Sequence, residues 1–284
     1  MIQATLEAPF SMKGRGVHSG DFCSVSVFPA EENHGLLFVR SDIEENSSIE
    51  ASYKNISETA MCTRLSNSHG IAINTVEHIL AALVGMGVTN AVIKVSGEEI
   101  PILDGSADPF VREILAVGVK KQSQKRKILK ILKYLRVEDG DRWSSLSSND
   151  HFSIHICCDF KKNGLKTEAA SFDYAKNNFS EEIAPARTFG FFAEAEFLRK
   201  NNLARGATLE NTVVFDENGL PMNESDLRFA DEPMRHKILD IIGDLSLSGY
   251  QILGKFESFC PSHKMNHQIL ATLFQNPDNY AIVT

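Results

Sequence analysis

Eight residues near the middle of the chain, Lys120 to Lys127, "KKQSQKRK", separate two halves that each run through strand patterns and then helix patterns. That division constrains the fold, because 284 residues are long for one compact core and two domains of about 120 to 150 residues are expected. The expected boundaries are 1–122 and 127–284. In the first half, Cys23, Val25 and Val27 alternate with polar neighbours as in a half-buried strand, and further strand signals lie at 35–40 and 91–95. Asn74 and Glu77 have the spacing of a capping box. Val76, Ile79, Leu80, Leu83 and Val84 then make a helical stripe ending near Gly85 and Gly87. A helix is expected over 109–117.

The second half repeats this style. Strands are expected near 130–137 and 151–160, helix signals over 187–202, and a strand at 212–215 followed by the turn "DENG". Asp231 and Pro233 open a helix, "MRHKILDIIGDLSLSG", and another follows Ser262. The architecture expected is α+β, a sheet with helices packed on it in each half. "EHILAALVG" and "RHKILDIIG" hint at duplication, although aligning them needs a one-residue gap.

The net charge of −8 argues against nucleic acid as the main partner. Lys120 to Lys133 hold seven basic side chains and no acid; an exposed linker with a solvated basic face is the expected reading, contact with anionic lipid or phosphate the alternative. The opening "MIQATLEAPF" has no secretory pattern, and no apolar run approaches the roughly 20 residues that span a bilayer. Five cysteines, an odd number without zinc spacing, point with these features to a reducing, cytoplasmic setting.

His236 and Asp240 stand four residues apart on the helical face opposite Met234, Ile238, Ile241, Ile242 and Leu245. Alone the pair reads as a solvated polar face, with Gly243 leaving room beside it. His78, away from the stripe of the earlier helix, changes that reading. His78, His236 and Asp240 make three N/O ligands, the inventory of a catalytic zinc that keeps one position for water. Glu77 is then placed to take a proton from water attacking a carbonyl. His263 in "CPSHKMN" is a candidate donor to the leaving amine, with His267 equally plausible on chemistry. Thr188 in "ARTFGFF" offers a hydroxyl to an oxyanion, whereas Phe189, Phe191, Phe192 and Phe197 read first as core. His18 lies in a turn from which it reaches a site or caps a strand. His155 and Cys157 read as packing.

In sequence order, "GRGVHSG", "MCTRL", "TVEHILAAL", "PILDGSADPF", "ARTFGF", "LRFADEPMRHKILDIIGDL" and "SHKMN" resemble the UDP-3-O-acyl-N-acetylglucosamine deacetylase family over about residues 3–280. The resemblance implies a zinc amidase of lipid A biosynthesis in Gram-negative bacteria, with two similar α+β domains around the active site. Its substrate is a UDP-linked acylated amino sugar. It implies His78, His236 and Asp240 as ligands of Zn2+, with Fe2+ as the alternative, Glu77 as general base and His263 as general acid. Asp244 orients that histidine, Thr188 stabilises the oxyanion, and Lys237 meets substrate. Residues of about 188–212, Phe189 and Phe191 included, then form a hydrophobic passage for the acyl chain, which reverses the core reading. Ser262, His267 and "ARGATLEN" depart from the family's usual residues and bear on loop shape and acyl preference. A monomer is expected, with no transmembrane segment and peripheral membrane contact as an option. Two alternatives stay open: a metallopeptidase, and a binding protein whose metal is structural with His18 or His263 as fourth ligand.

Overall fold

The computed structural model describes residues 1–161, 166–223, 225 and 227–284. It is an α+β structure whose α-helices, among the described residues, are α1 Glu77–Gly85, α2 Asp108–Val117, α3 Phe179–Glu182, α4 Ala195–Lys200, α5 Glu232–Ser246 and α6 His263–Gln275. The main sheet of the first half runs Phe10–Arg15, Phe22–Pro29, Ala91–Ser96, Leu36–Arg40, Ser48–Glu50. Successive neighbours are antiparallel, antiparallel, parallel and antiparallel. The second half repeats that order of directions through Leu135–Asp139, Arg142–Ser147, Gln251–Phe259, Phe152–Asp159 and Thr167–Asp173.

The central strand of each sheet is entered from a helix, α1 or α5, and followed by another, α2 or α6. Even the flanking ribbons correspond: Ile2–Leu6 pairs antiparallel with Val119–Lys125, as Ile128–Ile131 does with Tyr280–Val283. The gapped likeness between "EHILAALVG" and "RHKILDIIG" therefore falls on helices in equivalent positions of two similar sheet-and-helix layers.

Those two helices pack along each other and carry the contact between the halves. Ile79, Leu80 and Leu83 of α1 and Ile238, Ile241, Ile242 and Leu245 of α5 are all buried. At the crossing, a Cβ on Gly243 would lie 2.2 Å from the Glu77 carbonyl oxygen, so only glycine lets the two backbones meet there. The room that Gly243 was expected to leave beside the polar pair is taken up by α1 itself.

Local patterns decided most elements. Phe22–Pro29 buries Cys23, Val25 and Val27 on one face. Asp231 precedes α5 with Pro233 in its first turn, and Ser262 Oγ caps α6 by accepting from the Met265 amide at 3.4 Å. Other expectations are corrected. No capping box forms, because α1 starts at Glu77 itself and the Asn74 side chain donates to the Glu98 carbonyl at 3.0 Å. The basic stretch at 120–127 is largely strand rather than linker, its backbone satisfied by Ile2–Leu6. The span 130–137 breaks into two strands, and 187–202 opens with the strand Phe189–Phe191 before α4. His155 faces out instead of packing inward, on the Ser171 hydroxyl at 2.7 Å.

Candidate metal centre

His78 is the second residue of α1; His236 and Asp240 lie one turn apart in α5. Because Gly243 admits the start of α1, the ligand atoms of all three fall within 4.8 Å of one another. His236 Nε2 is 3.5 Å and His78 Nε2 3.8 Å from Asp240 Oδ1, and the rings stand nearly perpendicular with centroids 5.0 Å apart. None of the three is solvated: their exposures are 4, 3 and 6% for His78, His236 and Asp240. The reading of a solvated polar face on α5 therefore does not hold.

Burial pushes His78 down to about 3, with the charge of His236 adding and that of Asp240 opposing. Burial likewise pushes His236 down to about 3 against the Ala186 carbonyl, which sits 3.0 Å from Nδ1. Since a carbonyl only accepts, His236 Nδ1 carries the proton and its Nε2 lone pair faces the cluster. Neutral imidazole lone pairs beside a carboxylate oxygen, in a largely buried space, suit a divalent cation of N/O preference. Among the described residues the cluster includes no further His, Cys, Asp or Glu. The next amide, that of Arg187, donates to Glu232 Oε1 at 2.9 Å, and the Arg187 guanidinium forms a buried ion pair with the same carboxylate at 2.9 Å.

A second polar group adjoins the first. His263 Nδ1 donates to Asp244 Oδ2 at 2.7 Å, and Nε2 lies 3.7 Å from Glu77 Oε1. Thr63 ties the group together, its hydroxyl donating to Asp244 Oδ1 at 2.6 Å and its amide to Glu77 Oε2 at 3.1 Å. Asn266, one turn beyond His263 on α6, donates to Asp244 Oδ2 at 2.9 Å. Burial raises Glu77 to about 8, opposed by the charge of His263 and supported by Asp244 and Asp240. For His263 burial alone acts downward, but the charge and hydrogen bond of Asp244, with Glu77 and Asp240, carry it up to about 10. His267 is lowered by burial, with the charge of Asp244 opposing.

The remaining predicted residues border this centre. Thr188 is held through its backbone by Gly105 and Val213, each at 2.8 Å, and among the described residues its hydroxyl has no partner. Lys237 Nζ is 3.8 Å from Asp240 Oδ2 and 5.6 Å from the centroid of the Phe189 ring. Phe189 and Phe191 are half-buried in an aromatic group with Phe160 and Phe215, and Phe189 stands 6.4 Å from the His236 ring. Phe192 and Phe197 are exposed. His18 accepts at Nδ1 from the Ala204 amide at 3.4 Å. Burial lowers it, Glu99 opposing and the charge of His263 adding.

Thr63, Asn266 and the Ala186 carbonyl were missed from sequence. Asn266 had a signal in its spacing of three from His263 on one helix, and Thr63 lies within "MCTRL", whereas a main-chain carbonyl carries none.

A family model described as UDP-3-O-acyl N-acetylglycosamine deacetylase matches residues 3–275. The chain is similar to proteins named UDP-3-O-acyl-N-acetylglucosamine deacetylase from Psychrobacter sp. (strain PRwf-1), Shewanella sp. (strain W3-18-1) and Shewanella oneidensis. Identity is 41% in each case, over 100% of this chain and 96, 93 and 93% of those relatives. With the whole chain matched at this level, it belongs to the UDP-3-O-acyl N-acetylglycosamine deacetylase family.

Proposed function

We propose that this protein hydrolyses the N-acetyl group of UDP-3-O-acyl-N-acetylglucosamine, giving acetate and UDP-3-O-acyl-glucosamine, an early step of lipid A biosynthesis in the cytoplasm. The observation that carries this reading is the joining of three converged ligand atoms to a buried carboxylate, Glu77, and a largely covered imidazole, His263, 3.7 Å apart. His78, His236 and Asp240 would hold Zn2+, or Fe2+ in its place. When bound, that cation supplies Lewis acidity to the amide carbonyl and to a water molecule.

The chain's own residues do the rest. Glu77, raised by burial and held at Oε2 by the Thr63 amide, takes a proton from the attacking water. Thr188 donates its hydroxyl to the developing oxyanion. His263 gives its Nε2 proton to the departing nitrogen, with Asp244 holding Nδ1–H and keeping the ring charged beforehand. One water and one amide become one acetate and one amine. Lys237 meets the substrate's charged or sugar portion. Phe189 and Phe191, continued by Phe160 and Phe215, line the passage for the acyl chain, and His18 borders it.

A structural metal would need a fourth protein ligand; among the described residues the cluster holds no further His, Cys, Asp or Glu, and the charge that Asp244 keeps on His263 occupies its Nε2 with a proton. The test is acetate release from the UDP-sugar substrate, measured with metal content, for wild type, Glu77→Ala and His263→Ala. Each substitution should lower kcat by about 10²–10⁴-fold with metal content unchanged. Full activity in either variant overturns its role, and no acetate from wild type overturns the reaction.

A further inference from the structure

Glu99 belongs to none of the groups above, yet its carboxylate is 2% exposed and collects four donors. Oε1 accepts from the His18 amide at 2.9 Å and the Thr75 hydroxyl at 3.0 Å. Oε2 accepts from the Ser19 amide at 2.8 Å and the Ser19 hydroxyl at 2.6 Å. Among the described residues it has no Lys or Arg within ion-pair distance, so these neutral donors replace the water lost on burial.

The donors come from two segments with different duties. Thr75 has φ of +57°, a left-handed conformation rare for a β-branched residue, and it stands two residues ahead of Glu77. Its hydroxyl bond to Glu99 helps hold that conformation at the threshold of α1. His18 and Ser19 belong to the turn at 16–20, on which the far end of the 188–212 segment rests. The Arg205 amide donates to the His18 carbonyl at 3.1 Å and the Gly206 amide to the Val17 carbonyl at 3.0 Å. A Cβ on Gly206 would lie 2.2 Å from the Gly16 carbonyl oxygen, so the two turns touch backbone to backbone.

We propose that Glu99 is a positioning residue for substrate binding: by clamping the His18 turn to Thr75 it fixes the acyl passage relative to the helix that carries Glu77 and His78. The inference rests on the deacetylase reading and extends it to a residue that touches neither metal ligand nor substrate. Glu99→Gln tests it with little change of shape, because an amide has one acceptor oxygen and its NH2 would face N–H and O–H donors. At least one arm of the clamp is lost.

The experiment combines steady-state acetate release by the metal-loaded enzyme with amide hydrogen exchange. Glu99→Gln should raise KM about tenfold, keep kcat within about threefold, and speed exchange at 16–20 and 204–206. Metal content should not change. Ser19→Ala, which removes one hydroxyl donor and leaves the carboxylate, should raise KM in the same direction by about threefold, and it decides the matter if Glu99→Gln does not fold. A folded Glu99→Gln with wild-type KM and exchange overturns the proposal. So does a loss confined to kcat, which would place the effect on Thr75 and α1 alone. If wild type releases no acetate the deacetylase reading falls, while the exchange comparison still tests the clamp.

Discussion

At the scale of single residues, the centre separates groups by the protonation each must keep. His78 and His236, driven to about 3 by burial, remain neutral across the physiological range and available as ligands. His263 is carried the other way because Asp244 sits 2.7 Å from Nδ1. Its raised value means that the protonated form persists until pH rises toward 10. Its contribution to stability is therefore complete below the ordinary 6.5 and is lost as pH climbs through 10. Asp244→Asn removes the charge and keeps the shape. The alkaline limb of the kcat profile should then move down toward the ordinary imidazole value of about 6.5, with kcat at pH 8 to 9 falling more than at pH 6. An unmoved limb would show that Asp244 is structural only.

At the scale of elements, the decisive event is the crossing of α1 over α5. Both helices were legible from apolar residues three and four apart, and so was the polar set on the remaining faces. What periodicity did not report is that those faces are buried too, because a second element covers them. Gly243→Ala puts a methyl group where the Glu77 carbonyl lies and forces the helices apart. It should destabilise the protein by about 1–3 kcal/mol, visible as a fall of several degrees in Tm. Metal affinity measured by competition with a chelator should weaken as well, since His78 moves away from His236 and Asp240. A variant with unchanged Tm and affinity would mean that the contact has slack. The misread elements share a cause: the polar, lysine-rich segment at 120–127 has little strand pattern of its own and is strand because Ile2–Leu6 supplies the hydrogen-bond partners.

At the scale of the whole molecule, two similar sheet-and-helix layers meet through equivalent helices, and the contact is made by apolar residues that need no metal. Removing metal with a chelator should therefore abolish acetate release while far-ultraviolet circular dichroism stays near native and Tm drops only by the lost binding energy. Cooperative unfolding on chelation would restore the structural-metal alternative. The sequence by itself determined the chemical inventory and the helices that carry it, because residue type and periodicity are local properties: His78, His236, Asp240, Glu77 and His263 were all legible as candidates. Only the tertiary structure decided that Thr63 bridges Glu77 to Asp244, 181 residues away from it, and that the Ala186 carbonyl orients His236. It also decided that His263, not His267, faces Glu77. Such contacts are set by which backbones can approach, and that is a property of the packed chain that no local pattern encodes.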